Sequence, residues 1–384
     1  MENDLDSVLY RLVKELEHIE GSRARFGQVL RKIKTQIDLG HYRSIASSTI
    51  EHALVSRVDP TSLAGLRIVG IDGGLARRSF RAMDLIITRG IAVIFRFGPP
   101  EGPDVEFYPG PFPPPQVTPL MLTLSSTELD QMATLERIAT ELRVALSVLD
   151  QFEVDVILMD GGLFFHPRDR PPPSSPVYEK FQEVMALYRQ LYLATRRKQV
   201  VLVGIVKDSR STRIVNMLGE ILPHVLRDPS VFKMMEGIDY RRLLKISRDC
   251  DLLDTFLDET ERTFIFNYSS ELMHATGGGQ DDLQQWASDI WISYLRTARN
   301  DLPIRAEVLV DGDPVGQMER ALRVVLPLAR RHPEYGLPAP VLEADARARI
   351  SSHEAQLIMD RLMAMSGLRH MLLGKRRSRN PFGG

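Results

Sequence analysis

The sequence predicts an α/β protein built on a mixed sheet, antiparallel at first and parallel later, flanked by helices and extended at both ends. Three observations predict it. Two apolar runs, LRIVGIDGGL and VDVILMDGGL, close on the same tripeptide, as Asp72-Gly73-Gly74 and Asp160-Gly161-Gly162. Runs rich in Ile, Val and Leu that stop at glycine read as buried strands. Around the first run strand-like segments follow one another directly, whereas around the second they alternate with helical segments, which makes right-handed parallel crossovers.

In chain order, Leu5, Val8, Leu9, Leu12, Val13, Leu16 and Ile19 follow the spacing of an amphipathic helix, expected to pack on the body or on a second subunit. Strand one is read at 66–72, ending at Asp72 with open backbone after it. Runs 83–88 and 91–97 read as two further strands joined by a tight hairpin at Arg89-Gly90. Residues 99–119 hold nine of the 24 prolines and 167–176 five more, so both read as stiff loops without regular structure. Ser125-Ser126-Thr127 offers caps for a helix to about residue 150. The second Asp-bearing strand follows at 154–160, then a helix at 178–198 and a buried strand at 200–206. Later, 262–268, 289–296 and 303–310 read as added strands, although 283–299 also suits a helix. Helices are expected near 315–330 and 345–365. The domain reading is an N-terminal helical segment (1–45), a main domain (60–365) and a basic tail (366–384).

With 384 residues and 43% hydrophobic content, the chain has ample material for a core. No apolar run approaches the roughly 18–20 residues of a membrane span, and Met1-Glu2-Asn3-Asp4 is acidic where a targeting peptide is basic, so a soluble, cytoplasmic protein is expected. The single cysteine, Cys250, excludes an internal disulfide framework and a thiolate zinc cluster, and is expected to be inert. A net charge of −1 argues against coating nucleic acid by bulk attraction. Any DNA contact must be local, and Arg77, Arg78 and Arg81 are the basic cluster that would lie beside a site at Asp72. Further basic clusters are Arg196-Arg197-Lys198, Arg241-Arg242 and Lys375-Arg376-Arg377. His166, His274 and His353 lack ligand spacing and read as surface or loop residues.

The two strand-end aspartates carry the chemistry. On neighbouring strands their carboxylates would repel one another unless a proton or a cation lay between them, and hard divalent ions such as Mg2+ or Mn2+ favour oxygen ligands. Metal-dependent phosphate chemistry is therefore the leading expectation.

The order β-β-β-α-β-α-β is that of the ribonuclease H-like fold. The IDGG and MDGGL strand ends, GIVKDS at 204–209, IRAEV at 304–308 and PVLEADARARIS at 340–351 together resemble the NurA nucleases, over about residues 60 to 365. The resemblance implies a manganese-dependent DNA nuclease, 5′ to 3′ exonucleolytic with some single-strand endonuclease activity. It also implies a homodimer that works on single- and double-stranded DNA ends beside a HerA-type hexameric ATPase in end resection. It makes Asp72 and Asp160 metal ligands. It puts an acidic residue on the intervening helix, where Glu141 matches in position; Glu136 lies on the opposite flank of the same apolar stripe and stays open by geometry. It gives Asp345 in the late motif as a fourth ligand, where many members carry histidine or aspartate, so the general base is left open. It suggests that Lys207 lies at the site's edge, near the scissile phosphate. The expected mechanism is hydrolysis at two Mn2+ or Mg2+ ions about 3.5–4 Å apart, with Arg77, Arg78 or Arg81 on DNA phosphates.

Two rival readings differ in class. An ATPase of the actin and sugar-kinase kind also uses Asp-Gly-Gly turns, but needs a glycine-rich adenosine turn for which Gly277-Gly278-Gly279 is the candidate. A non-catalytic DNA-end adaptor is disfavoured by the acidic set.

Overall fold

The computed structural model describes residues 5–42, 50–98, 103–165, 169–267, 286–330 and 334–366. The chain forms two compact units. One contains Met1–Thr61, Ile205–Ser270 and Ser288–Pro338; the other contains Ser62–Gly204, Glu271–Ala287 and Ala339–Gly384.

The second unit is organised around β2 (Arg67–Ser79), β3 (Asp84–Phe97), β4 (Pro103–Tyr108), β5 (Gln116–Leu120), β6 (Val156–Asp160) and β7 (Val201–Val206), whose last residues cross into the first unit. The order is β7-β6-β2-β3-β4, with β5 also on β3. The β2–β3 and β3–β4 pairs are antiparallel and β2–β6 is parallel. This is the mixed, ribonuclease H-like arrangement expected, antiparallel first and parallel afterwards. Two long helices supply the crossovers: α2 (Ser126–Gln151) and α3 (Tyr178–Lys198). Helix α2 starts where its caps allow: the Ser125 hydroxyl accepts from Glu128 N while Glu128 reaches back to Ser125 N, a reciprocal capping box. Late in the chain α9 (Ala339–Ala348) and α10 (Ser352–Ser366) return to this unit.

The first unit holds β1 (Val55–Arg57), β8 (Glu261–Thr263), β9 (Phe266–Asn267), β10 (Ile290–Leu295) and β11 (Ile304–Leu309), in the order β1-β8-β10-β11 with β9 on β10. Its helices are α1 (Leu5–Ile33), α4 (Arg213–Val225), α5 (Pro229–Met234), α6 (Tyr240–Ile246), α7 (Asp249–Phe256) and α8 (Pro314–Ala329). Its core joins Phe26, Leu30 and Ile33 to Leu218, Leu253, Phe256 and Phe264.

Several expectations are corrected. Strand one does not stop at Asp72; β2 continues to Ser79 because Gly73 and Gly74 stay in the antiparallel ladder, opposite Gly90 and Arg89. Arg89-Gly90 is therefore mid-strand, and the hairpin turn lies at Phe80–Met83, where Phe80 N donates to Met83 O. The proline-rich stretch 99–119 contains two strands after all: Pro103 opens β4 and Pro119 sits on the short β5, places where a missing N–H is tolerated. Residues 345–365 are two helices, broken at 349–351. Helix α1 runs on to Ile33; along its leading stripe Leu5, Leu9, Leu12, Val13 and Leu16 are exposed and Val8 and Ile19 half-buried, and the apolar side chains of α1 buried on the body are Phe26, Val29, Leu30 and Ile33 further along. The described part of 283–299 resolves to strand β10, whereas α4 to α7 had no counterpart in the sequence reading. The basic tail, His166, His274 and Gly277-Gly278-Gly279 lie outside the described residues. No helix of the described residues is long and apolar enough to cross a membrane.

Candidate metal centre

The starts of β2 and β6 are tied together. Asp155 Oδ2 accepts from Arg67 N at 2.8 Å, and Asp155 N donates to Arg67 O at 2.9 Å. That anchor sets a register in which Ile71 lies opposite Met159, so Asp72 and Asp160 come next, side by side. In a parallel pair such neighbours project to the same face. The Asp72 carboxylate is fixed by its own strand, Oδ1 accepting from Gly73 N at 2.7 Å. After Asp160 the chain leaves the sheet at Gly161, whose φ of 107° only glycine adopts without strain.

The third carboxylate is delivered by helix α9. A Cβ at Gly70 would overlap the Pro340 carbonyl, and one at Gly74 would overlap the Ala348 carbonyl. Residues 70, 72 and 74 share a face of the strand, so the glycines on either side of Asp72 let α9 lie against the bare backbone. Asp345 falls between Pro340 and Ala348 on that helix. One carboxylate oxygen from each of Asp72, Asp160 and Asp345 lies within 4.8 Å of the others. Three hard oxygen donors so close together suit Mn2+ or Mg2+ and disfavour a soft metal.

Glu141 approaches from the other face. A Cβ at Gly73 would meet the Glu141 carboxylate, so this glycine makes the opening that brings α2 close. The carboxylate is almost wholly buried and its pKa rises to about 8. Burial is the largest cause, the nearby charges of Asp72 and Asp160 push the same way, and Arg137 opposes them. Arg137 Nη1 donates to Glu141 Oε1 one helical turn away, and its own pKa is raised, chiefly by that carboxylate and further by Asp72. Glu136, left open by sequence geometry, is instead held by Lys180 of α3 at 2.8 Å. Arg137 was missed in the sequence; its signal was the i, i+4 spacing to Glu141.

The arginine trio is not gathered at the cluster. Arg77 lies five residues beyond Asp72, roughly 16 Å along an extended strand, and pairs with Asp130; Arg78 donates to the Arg77 carbonyl, and Arg81 sits in the hairpin turn. Lys207 directly follows β7. Cys250 is buried, which raises its thiol pKa to about 12, in keeping with an inert residue.

None of the curated proteins matches this chain. The NurA nuclease from Sulfolobus solfataricus has a similar structure, with a TM-score of 0.54, 15% identity, and coverage of 96% of this chain and 98% of that one. NurA solved with manganese gives a TM-score of 0.44 at 12% identity, covering 96% of this chain and 100% of that one. NurA bound to dAMP and manganese gives 0.41 at 13%, covering 94% and 96%. The family model described as the NurA domain matches residues 66–350, a span that includes Asp72, Glu141, Asp160 and Asp345. By that match, which takes in most of the sequence, the chain belongs to the NurA family.

Proposed function

We propose that this chain hydrolyses phosphodiester bonds of DNA at a site made by Asp72, Asp160, Asp345 and Glu141, using Mn2+ or Mg2+. That it is a metal-dependent nuclease rests on family membership together with the carboxylate cluster. The single observation that carries the reading is the convergence of three aspartates from β2, β6 and α9 within 4.8 Å. Three carboxylates gathered on one spot repel one another unless a proton or a cation lies between them, and hard oxygen donors at this separation suit a divalent cation.

Asp72 and Asp160 would form the floor of the site, with Asp345 facing them and Glu141 closing it from the α2 side. Two ions bound there would lower the pKa of an attacking water and stabilise the leaving oxygen. The chain itself supplies fixed, acceptor-only ligands, set by the strand register and by the glycines that let α9 and α2 approach. Lys207 is assigned to the scissile phosphate, and Arg77, Arg78 and Arg81 to more distant backbone phosphates, which would position DNA without reading its sequence. We further assign 5′ to 3′ exonuclease action with some single-strand endonuclease activity, a homodimeric state and a HerA-type hexameric ATPase as partner, all by analogy with the family.

The test is degradation of end-labelled linear DNA with Mn2+ by the wild type, Asp72→Ala and Asp160→Ala. Loss of cleavage in both variants, with the fold intact by circular dichroism, is expected; wild-type rates in either one would sink the assignment. Labelling each strand separately, with and without the partner ATPase, reads polarity and dependence. ATP binding by calorimetry would instead favour the kinase-like rival.

A further inference from the structure

Phe112 is 82% exposed, the most exposed of the large hydrophobic side chains among the described residues. It stands in the loop between β4 and β5, where Pro109, Pro111, Pro113, Pro114 and Pro115 restrict the backbone. The ring is backed by a cation: the Arg347 guanidinium lies 5.2 Å from the Phe112 centroid and 4.0 Å from that of Phe107. Arg347 is itself held in place, with Nε donating to Glu343 Oε1 at 2.7 Å and Nη1 to the Pro111 carbonyl at 3.1 Å. A stiff loop and a clamped arginine thus hold an aromatic face toward water, where it buries little apolar surface for the fold.

The location gives this platform a use. Arg347 belongs to α9, the helix that delivers Asp345. Ala344 and Ala348 of α9 pack with Ile91 and Val93 of β3, and Phe107 of β4 joins them. Phe107 and Phe112 therefore lie over the same face of the sheet as the three aspartates. At 100° per residue, Asp345 and Arg347 leave α9 on opposite flanks of the side that meets the sheet, about one helix diameter, or 10 Å, apart. At the end of that helix Arg349, with its side chain 75% exposed, pairs with Asp345 at 3.3 Å. Arg349 on the flank of α9 that carries Asp345, and Arg347 with the open ring on the other flank, thus border the helix that delivers the third carboxylate.

We propose that Phe112, backed by Arg347, is a stacking platform for an unpaired base of single-stranded DNA whose backbone passes Arg349 on its way to the Asp72, Asp160 and Asp345 cluster. This deepens the nuclease reading and rests on it. Stacking on an aromatic face combined with arginine contacts is how proteins hold single strands without reading sequence, since every base has a π-face. A base inside a duplex offers no free face, so the platform selects unpaired strands.

The test uses the full chain in EDTA, so that DNA is bound and not cut. Fluorescence anisotropy with a labelled single-stranded oligonucleotide and with a blunt duplex compares wild type, Phe112→Ala and Phe112→Trp; an oligonucleotide series carrying 2-aminopurine reports stacking directly. Phe112→Ala is expected to weaken single-strand binding about tenfold, the scale of one lost base–aromatic stack, and to abolish 2-aminopurine quenching. Phe112→Trp should keep both, duplex affinity should change less than about twofold, and Mn2+ binding by calorimetry should be unaltered. Unchanged single-strand affinity in Phe112→Ala would overturn the proposal. So would equal losses for single strand and duplex, or a loss accompanied by a change in molecular mass, which would assign Phe112 to a contact between copies. If Asp72→Ala still cleaved DNA the nuclease reading would fail, while these metal-free binding results would stand on their own.

Discussion

Gly74 of β2 lies directly beneath the carbonyl of Ala348, so helix α9 rests on strand backbone with no side chain between them. The distance from Asp345 to Asp72 depends on that contact.

Gly74→Ala should therefore act on fold and site together. The new methyl meets a carbonyl oxygen, and no rotamer change can relieve the overlap. A loss on the order of 3 kcal/mol is expected, the upper range for overpacking, because backbone must move. The shift should also carry Asp345 away from Asp72 and weaken Mn2+ binding by calorimetry. Gly21→Ala is the contrast: it lies within α1 and its Cβ meets nothing within 4 Å, so unfolding in urea should show a gain of about 0.5–1 kcal/mol.

Glu141 and Glu136 occupy the same helix but have different partners, and substitution separates them. Glu141→Gln removes a buried ionisable carboxyl beside Asp72 and should lower the cleavage rate on the order of 100-fold, typical of an electrostatic group at a reacting centre. Glu136→Gln breaks a partly buried pair with Lys180, with a cost in stability and cleavage within about twofold of wild type. Comparable losses of cleavage in both variants would mean that the partner pattern does not identify the working residue.

What could be read in the sequence follows from how local each signal is. The Asp-bearing apolar runs, the helix caps at Ser125 and the buried runs at 156–160 and 201–206 are local, and the mixed sheet followed from their order. The glycines after Asp72 were misread because a Gly-Gly pair signals a turn and a close helix approach alike; only α9 and Glu141, distant in sequence, decide which. The same ambiguity split β3 at Gly90, whose role is to sit opposite Gly73 and beneath Thr140. Asp345 came from family resemblance alone, since nothing in its own neighbourhood shows that α9 returns to β2. Arg137 was overlooked because its pairing with Glu141 matters only once that carboxylate is known to be buried.

The pH dependence of the metal-free protein should follow Glu141. Its carboxyl rises from 4.5 in an open chain to about 8 in the fold. Between those values the folded state holds a proton that the unfolded chain has released, so stability is greatest below pH 4.5 as far as this group is concerned and falls as pH rises toward 8. Urea midpoints measured in EDTA across this window should decline, with a flatter profile in Glu141→Gln. Saturating Mn2+ should restore more stability at pH 8 than at pH 6, because ligands bind metal in the deprotonated form. Arg137→Met should carry the decline to higher pH by removing the cation that opposes it, at a cost on the order of 2 kcal/mol near pH 8, below that of a fully enclosed pair because Arg137 is partly exposed. A profile identical to wild type in Glu141→Gln would remove Glu141 as the cause.

The exposed stripe of α1 bears on the proposed homodimeric state. Leu9, Leu12 and Leu16 recur at helical spacing and each is about half exposed, on a helix anchored by Phe26, Val29, Leu30 and Ile33 further along. An apolar row of this length left in water favours self-association. Leu9→Glu with Leu16→Glu is therefore expected to lower the mass seen by sedimentation equilibrium from dimer to monomer, and to make the unfolding midpoint independent of protein concentration, with the monomer still folding cooperatively because the anchored half is untouched. Retention of the dimer in that variant would place the contact between copies elsewhere on the chain.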